Sequence, residues 1–174
     1  TGDIPSKLYV CDQDSDRVIV LDTSTNELNP IRTINVDFSE DDPTLEAPHF
    51  IIIDELNGYW FVTTFQSGYV GMYDLETDVF IDTIQVGNSP ALLAVDEQNS
   101  KLYVSRMMMM MGMMAPESKI DVLDYSDGTL DVLDPICLVD ETEILEFPSP
   151  HAISFTDDTE RIDNTDATGV LITA

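Results

Sequence analysis

One pattern returns along this chain and limits what it can fold into. "KLYVCD" (Lys7 to Asp12), "YWFVTT" (Tyr59 to Thr64), "KLYVSR" (Lys101 to Arg106) and "GVLITA" (Gly169 to Ala174) are versions of a single apolar strand. Each of the first three is followed by a second strand that closes on aspartate: "RVIVLD" at Asp22, "YVGMYD" at Asp74 and "KIDVLD" at Asp124. Turn-rich segments come next ("TSTNEL", "LETDVF", "YSDGTL") and lead into extended stretches such as "RTINVD" and "DTIQVG". A further set opens on proline and ends in an acidic turn: "PHFIIIDELN" from Pro48, "PALLAVDEQN" from Pro90 and "PHAISFTDDT" from Pro150. The aspartates recur about every 50 residues and the prolines about 40 and then 60 apart, a spacing typical of repeat architectures. Loops carry the variation. The strands are rich in Val, Ile, Tyr, Phe and Thr, and no helical period competes with them. Four short strands per unit predict an all-β chain built of four-stranded antiparallel blades, a β-propeller.

The stretch "PHFIIIDELNGYWFVTTFQSGYVGMYDLETDVFIDTIQVGNSP" resembles the YVTN-type β-propeller repeat family. Its order is a proline, an apolar strand, an acidic or Gly turn, a Leu-Tyr-Val-like strand, a strand closing on Asp, a Thr-bearing turn and a last strand ending in Val-Gly. The likeness runs from about Lys7 to Ala174. It implies a propeller from a secreted, cell-surface or periplasmic setting. Related repeats serve surface proteins, periplasmic binding proteins, lactonases and haem- or quinone-bearing oxidoreductases, so the fold leaves function open. In the family order the proline-led strand is innermost. That order gives a partial blade over 7–37, blades over 48–87 and 90–138, and a partial blade over 150–174. About three and a half blades fit a fragment of a roughly seven-bladed propeller, unless the two ends share one blade. Missing blades of the same chain or a dimer partner would then cover the open blade edges. A start at Thr1 without a charged-then-apolar leader fits a processed chain or a fragment.

Composition narrows the partners. With 43% hydrophobic and 24% charged residues the chain can bury a core, and 34 acidic against 7 basic residues give a formal charge of −27. Such a charge repels nucleic acid and anionic lipid and favours cations or basic partners. No stretch approaches the roughly 18 apolar residues a membrane helix needs, which argues against membrane insertion. Two cysteines, Cys11 and Cys137, are too few for a disulfide framework.

Three segments depart from the repeat: "FSEDDPTLEA" (Phe38 to Ala47), "SRMMMMMGMMAPESK" (Ser105 to Lys119) and "ERIDNTDAT" (Glu160 to Thr168). The second holds Met107, Met108, Met109, Met110, Met111, Met113 and Met114. It joins two strands that the other blades connect through "QDSD" and "FQSG", so it is an inserted loop. In a propeller this loop emerges on the same face as the blade-to-blade link. That link leads into His49 and His151, the two histidines of the chain. These side chains are therefore expected to converge at one mouth of the central channel. Thioether and imidazole suit copper(I), with His49, His151, Met111 and Met113 as candidate ligands. Methionine also packs as a flexible filler and lines adaptable partner surfaces, and each histidine can hydrogen-bond the start of its strand instead.

"DQDSDR" gives a second metal candidate, with Asp12, Asp14 and Asp16 spaced to collect oxygen ligands for calcium. It lacks the Gly and the bidentate Glu of an EF-hand loop, and a solvated acidic turn is the alternative. "SEDDPTLE" likewise reads as a solvated loop. No nucleophile elbow, phosphate loop, His-Glu-x-x-His or haem-attachment motif is present. The sequence thus points to a non-catalytic module that binds a protein or cell-surface partner through one loop-bearing face. The alternative is an oxidoreductase or lactonase-like propeller with a cofactor or metal at the channel mouth.

Overall fold

The computed structural model describes residues 6–24, 26–39, 45–107, 119–137, 152–156 and 169–173. Their strands are β1 (Lys7–Asp12), β2 (Arg17–Asp22), β3 (Asn29–Asn35), β4 (Pro48–Asp54), β5 (Tyr59–Thr64), β6 (Tyr69–Asp74) and β7 (Phe80–Gln85). They continue with β8 (Pro90–Asp96), β9 (Lys101–Arg106), β10 (Lys119–Asp124), β11 (Asp131–Cys137), β12 (Ala152–Thr156) and β13 (Gly169–Thr173). A 3-10 turn at Gln13–Ser15 is the one helical piece among the described residues. No helix there is long and apolar enough to cross a membrane.

Every sheet is an antiparallel meander. β4-β5-β6-β7 and β8-β9-β10-β11 are four-stranded, β1-β2-β3 three-stranded and β12-β13 two-stranded. The chain is a run of β-propeller blades. β1, β5, β9 and β13 occupy corresponding places, and Pro48 and Pro90 open the inner strands β4 and β8.

Turn chemistry explains why the strands stop where they do. Asp54 accepts hydrogen bonds from Asn57 N (2.9 Å) and Asn57 Nδ2 (2.7 Å), and Asp96 repeats this with Asn99 at 3.1 and 2.8 Å. The aspartates that close the third strands do the same. Asp22 accepts from Ser24 N, Asp74 from Thr77 N and Oγ1, and Asp124 from Ser126 N and Oγ. These bonds hold the carboxyls of Asp22, Asp74 and Asp124 below the usual range, the side-chain hydroxyl bond being the larger cause in each. Side chains that mimic a backbone turn fix the corner and hence the register.

Successive residues of a strand point to opposite faces, so each middle strand serves two neighbours at once. In β5, Trp60 and Val62 pack with Val18, Val36, Tyr73 and Leu75 in the seam between the first and second sheets. Phe61 points the other way and joins Val70, Met72, Leu93, Leu102, Val104 and Leu123 in the next seam. A third cluster of Ala94, Tyr103, Ile120 and Val122 packs with Ile153 and Phe155 of the fourth sheet. The core is therefore three seams in series. Trp60 and Tyr73 stack at 4.1 Å and 8°, with Tyr9 tilted against Trp60 at 4.9 Å.

Candidate functional site

One face of the molecule carries the links β1–β2, β5–β6 and β9–β10 together with the sheet-to-sheet connections. In the first two sheets its frame is tight. Residues 13–16 and 65–68 make the links, ending on Asp16 (φ 48°) and Gly68 (φ 85°) in the left-handed region. Val36 N donates to Asp16 O (2.8 Å), and Val86 N (2.9 Å) and Gly87 N (3.1 Å) donate to Gly68 O. A Cβ on Gly68 would meet Gly87 O at 2.5 Å, which is why glycine stands there.

The residues before the inner strands share a second device. Ala47 (φ 53°) and Ser89 (φ 54°) are both left-handed, and their carbonyls accept Phe65 N (2.9 Å) and Met107 N (3.0 Å). Met107 thus occupies the place of Phe65 in the sheet before, and the insert departs from the frame only after it. Residues 107–118 make this link. Met108 to Met114 lie outside the described residues, as does His151, so their expected convergence with His49 remains an expectation.

A buried ion pair roots the insert. Arg106 ends β9 and Asp121 sits in β10, 7% and 5% exposed. Arg106 Nε and Nη2 donate to Asp121 Oδ2 (2.5 Å) and Oδ1 (2.8 Å), a bidentate pair, and Nη2 also donates to Val86 O. Lys119 Nζ adds a contact to Asp121 at 3.6 Å. These residues were missed from the sequence. The available signal was a charge in an apolar strand, "KIDVLD" where the preceding unit reads "YVGMYD", paired with "KLYVSR" where it reads "YWFVTT".

His49 lies half-buried on β4. Its Nδ1 is 3.3 Å from Ala91 O on β8, and its ring stacks on Phe65 at 5.2 Å and 28°. The same carbonyl accepts Thr63 Oγ1 at 3.0 Å. The imidazole therefore lies against two adjacent inner strands, β4 and β8.

Described residues of two acidic segments, Glu46 and the Asp12–Asp16 turn, take structural roles, while residues 160–168 lie outside the described residues. Glu46 is 2% exposed and accepts from Phe38 N (3.0 Å), Ser39 N (2.9 Å), Ser39 Oγ (2.5 Å) and Ser67 Oγ. In the segment expected to be a solvated loop, Glu46 lies inside instead, bound to the peptide groups at the loop's start, Leu45 is exposed, and residues 40–44 lie outside the described residues. In the calcium candidate, Asp12 pairs with Arg17 at 2.7 Å, and Asp16 Oδ1 accepts Ala47 N at 2.8 Å. Asp14 stands in the 3-10 turn. Among the described residues no group of three or more His, Cys, Asp or Glu side chains is placed to hold a metal ion. Cys11 is a free thiol, pushed up to about 11 by burial.

Among the described residues this face is a fixed rim, with the buried Glu46, Arg106 and Asp121 bound to groups inside the protein.

No protein-family model and no curated protein matches the chain. Solved structures do. The hydrazine synthase of Kuenenia stuttgartiensis superposes with a TM-score of 0.65 at 18% identity, over 88% of this chain and 36% of that one. Dihydro-haem d1 dehydrogenase NirN gives 0.63 at 17%, over 88% and 28%. A putative 6-phosphogluconolactonase from Bacteroides uniformis gives 0.58 at 15%, over 75% and 37%. The chain spans well under half the length of these structures. At such identities the likeness establishes the architecture alone, and that architecture is the β-propeller.

Proposed function

We propose that this chain is a YVTN-like propeller segment from a secreted, surface or periplasmic protein, acting as a binding module that meets a protein or cell-surface partner through its loop-bearing face. One observation carries this reading. The methionine insert springs from a frame fixed on both sides, by Met107 N on Ser89 O and by Arg106 on Asp121. A polarizable apolar loop held on a rigid rim is a form suited to adaptable contact. The charge of −27 favours a basic partner, so association should weaken as salt screens it.

A second reading is a cofactor- or metal-bearing enzyme. It is favoured by the His49 imidazole beside Ala91 O and by the presence of a dehydrogenase and a putative 6-phosphogluconolactonase among the fold relatives.

A variant in which Met107 to Met114 are replaced by a short Gly/Ser/Asp turn tests both. It should keep its thermal midpoint within a few degrees, because surface loops tolerate length changes at small entropic cost. It should also lose the partner that the parent binds. Partner binding unchanged in the variant sinks the first reading. Copper(I) bound by the parent and lost in the variant would favour a metal site in this loop, and no copper(I) binding by the parent would eliminate it.

A further inference from the structure

The inner strands β4 and β8 end on the same turn, and one of the two carries a reactive dipeptide. In each, the closing aspartate accepts the N–H and the carboxamide of the asparagine three residues on, Asp54 from Asn57 and Asp96 from Asn99. The next residue is left-handed in both, Gly58 at φ 80° and Ser100 at φ 51°, and its carbonyl accepts Leu75 N (2.9 Å) or Tyr125 N (3.0 Å). Two things set the first turn apart. It is the single Asn-Gly of the chain, and its Asn57 Nδ2 crosses to the third sheet to donate to Glu97 O at 2.7 Å. From the third sheet Tyr125 also donates to Asp54 Oδ2 (2.6 Å), the oxygen that takes Asn57 Nδ2.

Asparagine followed by glycine is prone to deamidate, because glycine puts no side chain beside the attacking nitrogen. A solvent base takes the proton of Gly58 N, the nitrogen attacks Asn57 Cγ, and ammonia leaves to give a succinimide. Water then opens the ring to aspartate or isoaspartate. Asn57 is exposed, and a Cβ on Gly58 would meet nothing within 4 Å, so water and base reach this turn. The folded turn nevertheless ties down each reacting group. Gly58 N donates to Asp54 O at 3.0 Å, which opposes loss of its proton. The leaving amide nitrogen is bound twice, to Asp54 Oδ2 and to Glu97 O, both at 2.7 Å.

We propose that Asn57 is a modification site masked by the fold: it deamidates when the second and third sheets part at this corner, and the carboxylate it becomes prevents their full return. Local openings of this kind precede global unfolding. A carboxylate at position 57 has no proton to give Asp54 or Glu97 O. It also adds charge where the Glu97 carboxyl is already held above its ordinary value by burial and then by Asp54 and Glu55. The turn thus keeps a chemical record of having opened. It lies on the face opposite the loops and does not depend on the function proposed for them.

Peptide mapping by mass spectrometry follows Asn57 and Asn99 in the intact chain at mildly alkaline pH. Asn57 should convert at least about tenfold more slowly in the folded chain than in urea, since the bonds to its carboxamide and to Gly58 N must open first. Tyr125→Phe removes a tie from the third sheet without touching the dipeptide. It should raise the folded-state rate at Asn57 and leave Asn99 unchanged. Asn57→Asp, which installs the product directly, should lower the thermal midpoint by at least about 4 °C. Equal rates at Asn57 in the folded and urea-unfolded chain would overturn the proposal, because the fold would then mask nothing. So would a rate in Tyr125→Phe equal to the parent's, or an Asn57→Asp variant as stable as the parent.

Discussion

Two seams of the same propeller solve the same packing problem on the loop-bearing face with opposite chemistry. Between the first and second sheets, the ring of Phe38 lies on Gly71, where an added Cβ would meet Phe38 Cζ at 2.2 Å, and it continues to Tyr69, Tyr73 and Phe80. Between the second and third, Asp121 stands in place of Gly71 and Arg106 in place of Thr64. The guanidinium lies on Gly87, where a Cβ would come within 2.6 Å of Arg106 Nη1. An aromatic plug gains from area removed from water and needs nothing of its neighbour except room. A buried ion pair needs both partners, and is stable only while each cancels the desolvation of the other. The repeat thus preserves the backbone while leaving the filling of each seam to local choice.

The sharpest way to break the comparison is to remove one ion. Asp121→Ala should destabilise by about 3–5 kcal/mol, since it leaves a buried guanidinium uncompensated, whereas Arg106→Met with Asp121→Leu should recover most of the loss. Urea denaturation of the single and double variants measures this, and a double variant no better than the single would show that the pair does more than fill space.

In the other seam Gly71→Ala should cost about 1–3 kcal/mol by overpacking against Phe38, with part returned by Phe38→Leu. If Gly71→Ala is neutral under the same measurement, the plug is loose and the two seams differ in rigidity as well as chemistry.

A smaller effect concerns the opposite face, where the seams agree. Tyr9 donates to Asp78 (2.7 Å), which also pairs with Lys7 at 2.9 Å, and Tyr125 donates to Asp54 (2.6 Å). Burial, with the facing carboxylate second, pushes both phenols well above their ordinary value. A folded pKa above the unfolded one gives stability that is full below about pH 10 and lost as the pH rises beyond it. The thermal midpoint should therefore fall from pH 9 to pH 11, and Tyr9→Phe or Tyr125→Phe should each flatten that fall. A slope unchanged by both would mean that these phenols do not control the alkaline limit.

The strands were legible because alternation, the closing aspartates and the prolines are local and repeat. The seams were not. Phe38 and Glu46 read as parts of an acidic loop, since nothing nearby in sequence reveals that Phe38 reaches Gly71 or that Glu46 gathers Ser39 and Ser67. Arg106 was one letter in the run that leads to the methionines, and its partner lies in the following strand beyond the whole insert. His49 was visible as a residue, but its contact with Ala91 O depends on how the next blade is placed.

The alternation of β5 bears on misfolding. Trp60 and Val62 belong to one seam and Phe61 to the other, so a slip of one residue would drive the indole into the neighbour's core and the phenyl into its own. Both seams would fail together. A strand read on two sides has no near-degenerate register to fall into. The middle strands of this repeat are therefore proofread by both neighbours, whereas β1, with no strand on its inner side among the described residues, has only one ladder to check it.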